Sequence, residues 1–510
     1  MKKIIINIGG AICLFLTVSC NSTNLQDSKS KVQLALNKIT KIDKVDGGIN
    51  SVLSINPNAI EDERAQLAKG GLLAGIPILV KDNIETFELA TTAGSLALRD
   101  NHTKRDAPIV EKLRHEGAVI LGKTNLSEWA NFRSEDSISG WSSVGGLTRN
   151  PHNLSRSACG SSSGSGAAVA AGIVDFAIGT ETNGSIICPA SMNGIVGFKP
   201  TVGLLSAKYI VPISHSQDTA GPMTRTVRQS ALMTGIMTED NYGSIKQSLL
   251  DFAKSPNASL RGHRIGVVIN RLGNVSAVRA MFKSQLGILE KAGAELVEIE
   301  APDLPEDFWE KSYLVLLTEF KHGINAYLED SSAELQLKSL EDLIAFNERE
   351  ARVLGVFDQS IFEKSLATID LRSDDYLEAL TYVQEHTRGL GIDAMLDEHQ
   401  LSMLVAPSNN PSFLIDGIYG DNAPKGFPGI GYMAAIAGYP HLSVPAGKIK
   451  GMPVGLSFIT GKYNDSILFN AGQAIENARV QDLSPDFIHK DFADKNLSDL
   501  EKNVNRFGHE

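Results

Sequence analysis

A serine hydroxyl attacks an acyl carbon slowly unless a neighbouring base takes its proton. One candidate base in this chain is a lysine. Lys81 closes the apolar run Ile76-Pro77-Ile78-Leu79-Val80 and precedes Asp82-Asn83. A lysine accepts a proton only when neutral, so its reference pKa of about 10.4 must be pulled down by burial or by nearby positive charge. A strand that buries the five preceding residues carries the amine inward. Paired with Asp82 or another acid, Lys81 is instead an ordinary ion-pair member, the commoner fate of a charged residue. The second element is Gly160-Ser161-Ser162-Ser163-Gly164-Ser165-Gly166, which runs straight into an Ala-rich apolar stretch. A Gly/Ser linker has this composition, but a linker is not expected to enter a core, and clustered hydroxyls can relay protons. The third element is Thr182-Asn183-Gly184-Ser185. Consecutive backbone N–H groups in such a turn can hold a developing oxyanion, and one such donor is typically worth about 10²–10³ in rate.

These elements need a scaffold, and the rest of the chain alternates strand and helix signals, which points to an α/β layered domain. Ile76–Val80, Ala118–Leu121, Phe176–Gly179, Ile265–Ile269, Leu296–Ile299, Met403–Pro407 and Leu442–Pro445 read as strands. The apolar spacing from Lys31 to Asp46 predicts an amphipathic helix. A second helix runs through Ile109, Val110 and Leu113, with Asp106 expected as its N-cap and Gly117 as its stop. Gly166–Gly172 and residues 277–292 are further helices. Residues 308–399 are charged, poor in Gly and mostly helical, and are expected to cover the sheet or the substrate entrance. With the Phe413–Phe427 loop they are the expected walls of the substrate pocket. The tail beyond about Leu483 is polar. Gly160–Gly164 also matches G-x-S-x-G around Ser162, but that motif needs a preceding strand, and residues 149–156 are polar and carry Pro151.

Taken together and in order, the elements carry a resemblance. GIPILVKDNIET, TTAGS at 91–95, LGKTNLSEW at 121–129, GSSSGSGAAVAAG at 160–172 and GTETNGSIICPASMNGIVGFKPT at 179–201 resemble the amidase signature family over roughly residues 47–480. The resemblance implies a large twisted mixed β-sheet flanked by helices on both faces. It also implies hydrolysis of carboxylic amides through an acyl-enzyme with a Ser-Ser-Lys triad. Ser185 would be the nucleophile and Ser161, which follows a cis peptide bond in the family, the bridge. Lys81 would be the final proton acceptor, and the N–H groups of Thr182, Asn183, Gly184 and Ser185 the oxyanion hole. No metal and no cofactor is implied. The commoner family form has Gly-Gly before the nucleophile and Ile-Arg after it. Here Asn183 replaces the first Gly and Ile187 stands at the Arg position. Both departures resemble the peptide amidase branch, as do residues 122–134 and 211–225, and that branch removes the C-terminal carboxamide of peptides.

The other readings belong to different classes. One is the glutaminase (A) subunit of a tRNA-dependent amidotransferase, which shares the fold and would have a partner. Another is a non-catalytic surface binding protein on an amidase scaffold. A third is a Ser-His-Asp hydrolase that uses one of the eleven histidines, for example His215.

The N-terminus bears on location. Lys2 and Lys3 precede an apolar run from Ile4 to Leu16 that ends at Thr17-Val18-Ser19-Cys20. The run is too short to span a bilayer, which takes about 20 apolar residues. Residues 1–20 resemble a bacterial lipoprotein signal peptide with Cys20 as the lipidated residue, followed by a tether and helix over 21–46. The expectation is a lipid-anchored protein of a bacterial cell envelope, facing the periplasm or the cell surface, or otherwise secreted to the periplasm. The membrane would be touched only through lipid on Cys20. A net charge of −11 gives no basic footprint for nucleic acid, so the expected partner is an amide substrate, small or peptide. Beyond the signal only Cys159 and Cys188 remain. They have no metal-ligand spacing and are expected as free buried thiols, with a single bridge as the other option.

Overall fold

Side chains alternate along a strand, and from Ile78 to Lys81 that alternation decides the architecture. Ile78 and Val80 face one hydrophobic cluster, with Ile109, Val110, Leu113, Met233 and Ile236. Leu79 faces another, with Ala168, Val169, Ile186 and Ala190. A strand apolar on both sides must be covered by helices on both sides. The computed structural model describes residues 30–487, apart from 419, 422, 424 and 425.

The strands in chain order are β1 (Val52–Ile55), β2 (Pro77–Lys81), β3 (Val119–Thr124), β4 (Trp141–Ser142), β5 (Gly146–Leu147), β6 (Arg149–Asn150), β7 (Asn153–Ser157), β8 (Phe176–Glu181), β9 (Val196–Lys199), β10 (Thr219–Thr224), β11 (Arg264–Val268), β12 (Glu295–Ile299), β13 (Met403–Pro407), β14 (His441–Ile449) and β15 (Met452–Ile459). Eleven of them form one mixed sheet in the order β1-β3-β2-β8-β10-β9-β14-β15-β13-β11-β12, and β4-β5 and β6-β7 are short hairpins. The expected large mixed sheet flanked by helices is the observed fold. β2 lies parallel to both β3 and β8, and β10 is antiparallel to β8. This puts the ends of β2 and β8, at Lys81 and Glu181, side by side.

β10 was not expected, because Gly221 and Pro222 stand in its middle and such residues argue against a central strand. It forms because a Cβ at 221 would run into the Phe198 carbonyl and the Ile186 side chain, so only glycine lets the neighbouring chain approach. The small-residue helix starts three residues earlier than expected, at Ser163, and runs to Ala170 with every side chain buried. A Cβ at Gly164 would meet the Asn125 backbone, so this helix sits on the sheet at a distance that bulkier residues would forbid. Asp106 does not cap the helix Pro108–His115, whose N-cap is Ala107. Its carboxylate instead accepts from the Phe87 N–H at 2.8 Å and from Arg114 Nε at 2.7 Å. The amphipathic N-terminal helix spans Lys31–Lys38 and widens into a π-turn over Ile39–Asp43. Residues 308–398 hold six helices, from Phe308–Asp330 to Asp393–Glu398, besides a π-turn at Arg388–Ile392.

Candidate active site

β2 ends at Lys81 on the face of Leu79, the face that the helix Ser163–Ala170 covers. The ammonium is fully buried there. Lys81 Nζ donates to Ser161 Oγ at 2.7 Å, to Thr180 Oγ1 at 2.8 Å and to the Thr180 carbonyl at 3.3 Å. None of these partners is a carboxylate. Burial therefore governs its titration and lowers the Lys81 pKa to about 7, while the more distant charges of Asp218 and Glu181 work in the opposite direction. Asn83 Nδ2 also donates to Thr180 Oγ1, at 3.0 Å. Ser161 follows a cis peptide bond from Gly160 and is completely buried.

β8 brings the third element to the same place. After Glu181 the chain turns through Thr182-Asn183-Gly184-Ser185, with Gly184 at φ +82°, and the helix Ile187–Asn193 follows. Ser185 is one-tenth exposed, and its carbonyl accepts from the Ser162 N–H at 3.1 Å, which joins the two serine segments through their backbones. The turn is held from both ends. Glu181 Oε2 accepts the N–H groups of Ile186 at 2.7 Å and Ile187 at 3.0 Å. Thr182 Oγ1 donates to Asp218 Oδ1 at 2.5 Å, and the other Asp218 oxygen accepts from the Ile213 and Ser214 N–H groups. Burial pushes the Asp218 carboxyl up to about 6. Thr180, Asn83, Glu181 and Asp218 were not singled out from the sequence. All four lie inside the stretches that carry the resemblance, but nothing marked their side chains as partners, and Asp218 is 36 residues from the threonine it holds.

Two cavities flank the turn. The first, about 210 Å³, touches Asn83, Thr180, Thr182 and Asp218 and is walled by residues 207–213. The second, about 350 Å³, begins at Asn183 and Gly184 and runs to Ser408, Tyr432 and His441. The walls were expected from residues 308–399 and the Phe413–Phe427 loop. Among the described residues, neither cavity draws on the helical section, and only Phe427 of that loop contributes. The hydrogen bond that Ser161 Oγ accepts comes from Lys81 and not from a histidine. His215 is exposed at the first cavity, with Nδ1 3.6 Å from Glu319 Oε2. Cys159 and Cys188, expected as free thiols, form a disulfide with Cα atoms 5.9 Å apart. They flank the two serine segments, and the fold that draws those together draws the cysteines together. A separation of 29 residues carries no sign of it.

Comparison with known proteins gives a consistent picture. The family model described as Amidase matches residues 33–469. A putative amidase of Schizosaccharomyces pombe is 35% identical, over 86% of this chain and 81% of its own length. A probable amidase of Arabidopsis thaliana is 33% identical, over 96% of each. The crystal structure of the peptide amidase of Stenotrophomonas maltophilia superposes with a TM-score of 0.82 at 40% identity, covering 90% of this chain and 96% of that one. The expected lipid-anchored lipoprotein of a bacterial envelope is corrected by these findings. The relatives include fungal and plant amidases, and among the described residues no helix is long and apolar enough to cross a membrane. The signal segment 1–20, Cys20 included, lies outside the described residues.

Proposed function

We propose a catalytic assignment for a chain that belongs to the amidase signature family and is an amide-hydrolysing enzyme. Ser185 attacks the amide carbon. Its proton passes to Ser161, and the Ser161 proton to Lys81. The oxyanion develops against the N–H groups of Thr182, Asn183, Gly184 and Ser185. The proton then returns through Ser161 to the leaving nitrogen, and water hydrolyses the acyl-enzyme. The observation that carries this reading is the 2.7 Å hydrogen bond between a buried lysine and Ser161 in surroundings without a bonded carboxylate. There the amine is poised near neutrality, at about 7, where a general base is most effective. Residues 47–480 form the catalytic domain, with the helical section inside it.

The likeness to a peptide amidase, with Asn183 and Ile187 at the two positions where the commoner form differs, supports peptide C-terminal carboxamides among the substrates. The test is a hydrolysis screen of peptide carboxamides, simple aliphatic amides, aryl amides and glutamine, following released ammonia or amine. A fluorophosphonate probe should label the protein at Ser185, and Ser185→Ala should lose both labelling and hydrolysis. Labelling at another residue would overturn the assignment.

A further inference from the structure

The helical section walls neither cavity among the described residues, yet one of its side chains is tied to the oxyanion turn. Glu319 stands on the helix Phe308–Asp330 and is buried. Its Oε2 accepts from Ser214 Oγ at 2.5 Å, from the Ser216 N–H at 3.1 Å and from Ser216 Oγ at 3.0 Å. Its Oε1 accepts at 2.8 Å from the hydroxyl of Tyr376, on the neighbouring helix Asp374–Thr387. The segment that Glu319 grips is closed on itself. The Asp218 N–H donates to the Ser214 carbonyl at 2.8 Å, and Asp218 Oδ2 accepts the N–H groups of Ile213 at 2.7 Å and Ser214 at 2.9 Å. Asp218 Oδ1 receives the hydroxyl of Thr182. A continuous path therefore runs from Tyr376 through Glu319, the 213–218 turn and Asp218 to Thr182, the first residue of the oxyanion turn. Two buried carboxylates hold this one short segment. Burying like charges near each other is costly, and the Glu319 charge adds to the burial that raises the Asp218 pKa. A carboxylate accepts several hydrogen bonds at once, which suits a segment with this many N–H and O–H groups to fix in place.

We propose that Glu319 is a positioning residue for the reaction, and that it sets the place of the Thr182 N–H in the oxyanion hole through Asp218. The inference rests on the catalytic assignment above in one respect, the role given to the N–H groups of residues 182–185. Glu319 touches neither substrate nor a reacting atom. It fixes the turn that ends in Asp218. Asp218 then holds the oxyanion turn at Thr182, while Glu181 holds it at Ile186 and Ile187. The negative oxygen develops only in the transition state, so slack in this path is felt in kcat and not in substrate binding. A displacement of about 1 Å carried to such a site from a distance costs about 10²-fold in rate. The helical section thus serves the site through a tie and not through a wall.

The test is a double-mutant cycle on steady-state hydrolysis of the amide turned over fastest in the screen above, with a melting curve for every variant. Glu319→Ala should lower kcat by about 10²-fold with KM within about threefold of the unaltered enzyme. Glu319→Gln keeps an oxygen for Ser214 and Ser216 and offers its NH₂ to Tyr376, so it should restore kcat to within about fivefold. Asp218→Ala should cost about as much as Glu319→Ala. The two together should cost no more than Asp218→Ala alone, because the second cut falls on a path already open. If Glu319→Ala does not fold, Ser214→Ala with Ser216→Ala takes its place in the cycle. That pair leaves the carboxylate and the Ser216 N–H in place and should lose about tenfold in kcat, part of the full displacement cost. Normal kcat in a folded Glu319→Ala or Ser214→Ala/Ser216→Ala protein, Glu319→Gln no better than Glu319→Ala, or costs that multiply in the cycle would overturn the positioning role and leave the catalytic assignment standing. Hydrolysis that survived in Ser185→Ala would overturn the assignment itself, whatever the cycle gave.

Discussion

Two buried lysines stand on neighbouring strands, and only one is suited to be a base. Lys81 ends β2, and Lys123 lies one residue from the end of β3. Both are fully buried, and burial lowers the pKa of each. The β2–β3 register shifts between Ile78 and Leu79, after which Lys123 pairs with Val80 and Thr124 with Lys81. The bulge therefore turns Lys123 to the opposite face of the sheet from Lys81. On that face Lys123 Nζ donates to the Ile84 carbonyl at 2.6 Å and to Thr91 Oγ1 at 2.9 Å, and lies 3.5 Å from Asp82. Lys81 has hydroxyls and a carbonyl and no bonded carboxylate. The acid next to Lys81 in sequence is spent on the lysine of the other strand. What separates a structural lysine from a base is thus the identity of its bonded partner, and burial alone does not make the distinction.

The most direct way to break this comparison is to remove each amine in turn. Lys81→Met should lower kcat by about 10⁴-fold, as deletion of one member of a catalytic unit does, and leave a folded protein. Lys123→Met should do the reverse. It leaves Asp82 buried without its cation, which costs on the order of 3–5 kcal/mol of stability, while kcat of the folded fraction stays within about tenfold, well short of a catalytic deletion. Thermal melting and steady-state ammonia release on the same samples measure both. If Lys123→Met abolished turnover in a protein that still melted normally, the division of labour between the two faces would be wrong. Next in size is Ser161→Ala, which removes the proton bridge and should cost about 10²–10⁴-fold, the usual worth of a positioned proton-transfer group. Labelling of Ser185 should slow in parallel, because the loss is in activating the hydroxyl.

How much of this was legible beforehand follows the same division. Lys81, Ser161 and Ser185 sit in short ordered motifs, and the strand ending at Lys81 was readable from five consecutive apolar residues. The pairing of Asp82 was not readable. It depends on a bulge in β3 that shifts Lys123 by one face, and Val119-Ile120-Leu121 gives no local sign of one. Likewise Gly221-Pro222 reads as a break, because the feature that makes it a strand, the close approach of Phe198, is a contact across the sheet. The cavity walls at residues 207–213 lie in a segment with neither helical nor strand periodicity, where pattern reading is weakest. The disulfide is of the same kind, since only the folded chain brings residues 159 and 188 together.

A smaller effect sharpens the comparison through pH. The Lys81 pKa is lowered from 10.5 to about 7. The neutral amine is the active form and is gained as pH rises through that value. kcat/KM should therefore climb close to tenfold per pH unit below about 7 and level off above 8. Asp218, raised to about 6, loses its proton in the same range and holds Thr182 through it, so the acid limb should steepen below pH 6. Asp218→Asn, which keeps an acceptor for Thr182 but removes a charge that raises the Lys81 pKa, should remove that extra steepness and move the inflection below that of the unaltered enzyme. A profile flat from pH 6 to 9 would contradict Lys81 as the acceptor.

The smallest change expected in turnover concerns the disulfide, which belongs to the Lys81 face alone. Cys159 stands two residues before Ser161, and Cys188 three after Ser185, so the bond closes a loop that contains both serines. Opening a loop of 29 residues releases chain entropy worth about 3–4 kcal/mol in the denatured state. The active turn keeps its other ties, because Ser162 N–H still bonds the Ser185 carbonyl and Glu181 still holds Ile186 and Ile187. Reduction, or Cys159→Ser with Cys188→Ser, should therefore lower the melting temperature by several degrees and reduce kcat only a few-fold, with KM nearly unchanged. The same treatment should not change the melting penalty of Lys123→Met, since sites on opposite faces with no shared partner add independently. A collapse of kcat comparable to that of Lys81→Met would mean that the bond, more than the hydrogen bonds around it, sets the distance between the two serines.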